Sequence, residues 1–140
     1  MENIYIECHK KLTELSHKIR HKVKQNLNEQ GFAWNQFNVI KNIYPGESLT
    51  LSEISERISK KNSNVTQIVD SLEEQGIVRR QPDNKDRRVI RVELTDEGVE
   101  KREQIIKNYE QFIQTIYSSL NEQEIQNFLK IADIFLNKIK

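Results

Sequence analysis

Apolar residues recur along this chain at two spacings, and the change from one to the other isolates a short central segment. From residue 4 to 29, Ile4, Leu12, Leu15, Ile19, Val23 and Leu27 fall about 3.6 to 4 residues apart, which predicts one long helix. Gln30-Gly31 is its stop, with Gly31 as a left-handed C-cap. Phe37, Val39, Ile40, Ile43 and Tyr44 predict a second helix, halted by Pro45-Gly46. A third, short helix fits Ser52 to Ser59, opened by Thr50 or Ser52 and buried through Leu51, Ile54 and Ile58. Over residues 62–75, Val65, Ile68, Val69 and Leu72 repeat the helical stripe at i, i+3, i+4, i+7. The spacing then shortens: Ile77-Val78 opens a strand, a polar turn follows, and Val89 to Leu94 returns as its partner. Thr95-Asp96-Glu97 begins a long helix running to about residue 119 through Val99, Ile105, Ile106, Tyr109, Phe112, Ile113, Ile116 and Tyr117. Its acids sit where the positive end of the helix dipole favours them. Asn121 and Glu124 form a capping box for a last helix with Ile125, Phe128, Leu129, Ala132, Phe135, Leu136 and Ile139 on one face.

The pattern is therefore mostly α, six helices with one small β-hairpin. The hairpin and the helix before it carry the chemistry. Opposite its apolar stripe, the 62–75 helix presents Asn64, Thr66, Gln67 and Ser71, short hydrogen-bonding side chains rather than the usual Glu/Lys mixture. The hairpin tip holds Lys85, Arg87 and Arg88. A polar-faced helix beside a basic hairpin is what a winged helix-turn-helix needs to read double-stranded DNA. Asn62 and Ser63, at the positive end of the helix, suit a phosphate, with Lys60 and Lys61 just ahead of them. Asn64, Thr66 and Gln67 suit base edges: Gln bonds adenine at two points and a Thr methyl touches thymine. Asp86 sits in the middle of a basic cluster, where it repels phosphate. It makes sense as the holder of an arginine, either Arg88 or Arg80 on the preceding strand.

Charge supports this placement. The net charge is only +1, yet residues 57–91 hold nine basic groups against five acids, while residues 92–140 hold six against nine. The 140 residues form a single domain, with a reading head at 33–94. Residues 1–30 and 95–140 devote more apolar surface than so small a head covers, which points to a homodimer. The first residues show no leader pattern, no stretch nears ~18 consecutive apolar residues, and one cysteine makes no internal disulfide. A cytoplasmic protein with no membrane span follows. There is no phosphate loop, no nucleophile elbow and no zinc-type cluster, so neither an enzyme nor a cofactor is expected. His17 and His21 lie one turn apart, but Cys8 and His9 are roughly 12 Å or more up the same helix, too far to join them on one metal.

Asp86 and Arg88, then five residues, then Leu94, Thr95 and Gly98 match a D-x-R, L-T-x-x-G signature. Together with Gly31-Phe32, Gln36-Phe37, Leu51 to Ile58, Val65-Thr66, Leu72 and Gly76-Ile77-Val78 with Arg80, the chain resembles the multiple-antibiotic-resistance-regulator (MarR) family over essentially its whole length. The resemblance implies a dimeric winged-helix repressor on a pseudo-palindromic operator, released by a small ligand or an oxidant, with Arg88 in the minor groove. It also implies a small aromatic effector held where the dimer lobe meets the head. Trp34 and Tyr44 are the aromatics that border such a space or join the core. One departure is Ala33, where the family commonly has a Thr that opens a T-x-x-Q capping box; a lost capping hydroxyl costs roughly 1 kcal/mol. Some members sense peroxide through a cysteine in the first helix, which makes Cys8 the candidate redox site and redox control the alternative. Leu12 and Lys22, rather than tyrosines, occupy the positions around it. A winged-helix module that binds only protein is the other alternative, and it needs neither Arg88 nor the polar helix face.

Overall fold

Helix periodicity sets the architecture of the computed structural model, which describes residues 3–59 and 62–139. The elements run α1 (Ile4–Glu29), α2 (Trp34–Asn42), β1 (Leu49–Thr50), α3 (Leu51–Ile58), α4 (Asn62–Glu74), β2 (Val78–Pro82), β3 (Ile90–Leu94), α5 (Asp96–Tyr117) and α6 (Glu122–Lys138). The expected mostly α fold with a hairpin wing is what forms. No helix among the described residues is long and apolar enough to cross a membrane.

The core lies in the central segment. Phe37, Val39, Ile40 and Ile43 from the α2 region, Ile54 from α3, Val65, Val69 and Leu72 from α4, and Val92 from β3 are fully buried, together with Leu27 near the end of α1. At the C-terminus of α4, Gly76 takes φ +75°, which lets its N–H bond Glu73 O (3.0 Å) and lets the Ile77 N–H reach Leu72 O (3.0 Å). Ile77 is thereby swung into the core and the chain leaves as β2.

β3 lies between β1 and β2, antiparallel to both, with Arg80 opposite Val92 and Leu49 opposite Val92 on the other side. The two-residue β1 was absent from the sequence reading, which saw only a helix cap. Thr50 serves both ends: it pairs with Arg91 as strand, and its hydroxyl accepts the Glu53 N–H (3.1 Å) to open α3. Several boundaries shift, α3 to Leu51–Ile58 and the start of β2 to Val78 among them. α2 stops at Asn42 because Ile43 turns extended, Val89 belongs to the turn rather than the strand, and α5 ends at Tyr117.

The L-T-x-x-G half of the signature is structural. Thr95 caps α5 by accepting the Gly98 N–H (2.9 Å), and its hydroxyl also donates to the carbonyls of Gly76 and Ile77. Gly98 presses so closely on that turn that a Cβ there would stand 1.9 Å from Ile77 O. The base of the hairpin and the start of α5 are thus one joint.

Outside the head, packing thins. α1 buries only Val23 and Leu27 and exposes Ile4, Tyr5, Ile6, Leu12 and Leu15. Asn121 and Glu124 form the expected capping box (2.8 and 2.9 Å), but the helix they open, α6, buries none of its residues.

Candidate nucleic-acid interface

The outward face of α4 is where a ligand would meet the head. Asn64 and Gln67 are exposed on it, Thr66 is half-buried, and Val65 and Val69 hold the opposite face in the core. Asn62 and Ser63 begin the helix. Lys60 and Lys61 lie outside the described residues. Ser71, grouped by sequence with the polar face, instead turns to α2, where its hydroxyl accepts from the Gln36 amide (2.7 Å). The same Gln36 accepts the Ala33 N–H through its Oε1 (2.9 Å), so half of the capping box survives without a Thr at residue 33.

Arg80 joins this helix to the hairpin. Its guanidinium donates to Asp70 and to Glu73 (2.8 Å) and reaches Thr66 O (3.4 Å), while its backbone N–H donates to the other Glu73 oxygen (3.1 Å). Burial pulls the guanidinium toward neutrality, and the two carboxylates outweigh it, raising its pKa further. This corrects one of the two sequence alternatives: Arg80 is not a partner of Asp86, because β2 carries it back onto α4 while Asp86 sits at the far tip.

At the tip, Asp86 accepts from Arg88 through the backbone N–H (3.0 Å) and Nε (3.2 Å). The Arg88 side chain is nonetheless 92% exposed. The residue that shapes the turn was missed by sequence reasoning. Asp83 accepts the N–H groups of Lys85 (3.0 Å) and Asp86 (3.1 Å) and pairs with Arg91, whose other arm donates to Ser48 O (2.9 Å). Arg91 first, and then the two backbone donors, hold the Asp83 carboxyl below the usual aspartate range. The signal available was an acid and a base eight residues apart, which face each other only once the register is known.

The ion pairs also explain the local charge excess. Arg57 is matched by Glu47, Arg79 by the cross-strand Glu93, Arg80 by Asp70 and Glu73, and Arg91 by Asp83. Lys85 and Arg87 are exposed and carry no ion pair among the described residues. Positive charge is therefore neutralised along the base of the head and left uncovered at the wing tip.

The remaining candidates lie on α1 and at the two ends of α2. Cys8 is exposed, as are His17 and His21, and no group of three or more metal-ligating side chains occurs among the described residues. Trp34 lines a cavity of about 540 Å³ with Tyr109, Tyr117, Arg20 and Lys24, between α1, α2 and α5. Tyr44 does not border it. Its ring lies at the other end of α2 between the guanidinium groups of Arg102 (5.0 Å) and Arg57 (5.8 Å).

Against known proteins, a family model described as "MarR family" matches residues 32–90. The chain is 35% identical over 114 residues to the HTH-type transcriptional repressor MdtR of Bacillus subtilis, covering 81% of this chain and 74% of that one. It superposes on the crystal structure of the YusO protein of B. subtilis with a TM-score of 0.81 at 30% identity, covering 97% and 96% of the two chains. A structure of the S. aureus MepR–DNA complex shares the fold, with a TM-score of 0.72 at 20% identity and 99% of both chains covered.

Proposed function

The chain belongs to the MarR family, and from that premise we propose that it is a sequence-specific double-stranded DNA-binding transcription regulator acting as a homodimeric repressor. The observation that carries this reading is the Arg80 clamp. By tying β2 to Asp70 and Glu73 it makes the polar face of α4 and the cationic wing tip one rigid surface. Asn64, Thr66 and Gln67 enter the major groove, Asn62 and Ser63 approach the flanking phosphates with Lys60 and Lys61, and Lys85, Arg87 and Arg88 follow the wing to the minor groove. The homologous MdtR is named a repressor and the fold neighbour MepR is described in complex with DNA, which supports the same role here.

The unburied faces of α1 and α6 support the dimer, since an isologous pairing removes apolar surface that nothing in one chain covers. Two recognition helices then stand about one DNA turn apart, near 34 Å. The Trp34 cavity supports control by a small anionic aromatic effector, with aromatic walls and the cations Arg20 and Lys24 at its rim. Its lining from α1, α2 and α5 supports a ligand site where those three helices meet. Cys8, exposed and remote from the head, gives redox control no comparable footing.

Titration of labelled duplexes, first selected from a random pool, tests the division of labour. Gln67→Ala costs about 1–3 kcal/mol on the selected site and little on scrambled DNA. Arg88→Ala weakens both and lowers the salt slope by about one charge. Failure of the unaltered protein to retain any duplex at low salt refutes the reading.

A further inference from the structure

We infer that Arg102 is a positioning residue that sets the angle between the reading head and α5, and with it the separation of the two recognition helices. The inference rests on the dimeric DNA-binding reading above. α2 is the hub of the chain: it packs on α1 and α5 to one side and on α3 and α4 to the other. Its C-terminus ends without glycine, in the extended residue Ile43, whose N–H bonds Ile40 O (3.3 Å), and the carbonyls of Lys41 and Asn42 look outside the helix for donors. Two arginines supply them. From α5, Arg102 donates to Ile40 O (3.2 Å) and Lys41 O (2.9 Å); from α3, Arg57 donates to Asn42 O (2.8 Å) while Glu47 holds it (2.6 Å). Cations are favoured at this negative end of the helix dipole.

The geometry distinguishes the two arginines. Arg57 joins parts of the head to each other, whereas Arg102 joins the head to α5. α2 meets α5 at a second place, where the Phe37 and Tyr109 rings lie 4.8 Å apart. Along α5, Arg102 lies between this contact and the joint at Gly98 and Ile77, and it is the polar tie that holds the C-terminal end of α2. Without Arg102 that end of α2 is released while the other two contacts remain, so α2 tilts about the Phe37–Tyr109 pair. α4 follows it, because Gln36 ties α2 to Ser71. The core of the head does not depend on Arg102, whose partners, two backbone carbonyls and the exposed Tyr44 ring, lie at its margin.

Spin labels on Glu74→Cys, at the exposed end of α4 in a Cys8→Ser background, read the separation across the dimer directly. The parent protein gives a narrow distance distribution. Arg102→Ala broadens it and abolishes the preference between selected duplexes whose half-sites are moved together or apart by one base pair. Arg102→Lys, which keeps the charge and reaches one carbonyl, falls between the two. Should Arg102→Ala lose its helical signal, the Lys variant carries the comparison. A folded Arg102→Ala with the parent's distribution and spacing preference overturns the inference. Absence of any inter-subunit distance in the parent refutes the dimer instead, so the two failures are distinct.

Discussion

The reading head and the last helix are made of the same kinds of residue and meet opposite fates. In the head, Phe37, Ile40, Ile54 and Leu72 are wholly buried; in α6, Phe128, Leu129, Phe135 and Leu136 are 45–69% exposed. A continuous apolar face on a helix that buries nothing at home is a surface built for another chain, since monomers seldom leave such patches uncovered. The difference teaches that the head's stability is internal, whereas on the dimeric reading proposed above that of α1 and α6 is linked to assembly and therefore to concentration.

The sharpest way to break the comparison is at the joint between the head and α5. Gly98→Val drives a side chain into the Ile77 carbonyl, and overpacking of this kind costs about 3 kcal/mol or more. The denaturation midpoint should fall steeply, and a near-native midpoint would show that the joint yields. Next in size is the paired change Leu129→Asp with Phe135→Asp on α6. It should leave the head folded yet give a single sedimenting species near 16.6 kDa and weaken the operator complex. Loss of the head's fold together with the dimer would mean the two regions are not separable.

Smaller effects belong to the wing. Asp83→Asn removes the ion pair with Arg91 and weakens two backbone acceptances, so DNA binding should weaken modestly on selected and scrambled duplexes alike. Asp86→Ala should act in the same direction and less, because only Arg88 loses its holder. Plain electrostatics gives the opposite sign, and tighter binding by either variant would defeat the organising role of these acids. The smallest effect is that of pH. Since the folded wing keeps Asp83 ionised to lower pH than the unfolded chain does, its contribution is complete above the ordinary aspartate pKa of about 3.9 and is lost only as pH falls through the lowered value. The amide resonances of Lys85 and Asp86 should hold steady from pH 7 to 5 and move below 4.

The helices were legible because each depends on a local period and a local stop. Thr95 and Gly98 were legible as a pattern, but the reason for the glycine was not. It appears only when Ile77, distant along the chain, is brought against α5. The same holds for what was missed. Asp83 finds Arg91 across a hairpin, Arg102 finds α2 across the lobe boundary, and β1 exists only because β3 lies beside it. Arg80 was one of two alternatives offered to Asp86, and Arg88 is the one the structure pairs with it, since spacing said nothing about which way the strand would face.

The Glu73 to Arg80 bond has one more consequence. With β1 on one side of β3, the sheet's open side is β2, and successive residues of a strand point their N–H groups alternately inward and outward. Arg80 points its N–H outward to Glu73, and Pro82, two residues on, has none to offer. At these two positions the outer edge of β2 therefore presents no free donor to an incoming chain. Exposed strands elsewhere are templates for edge-to-edge aggregation; this one is kept from recruiting a copy of itself while it stands uncovered.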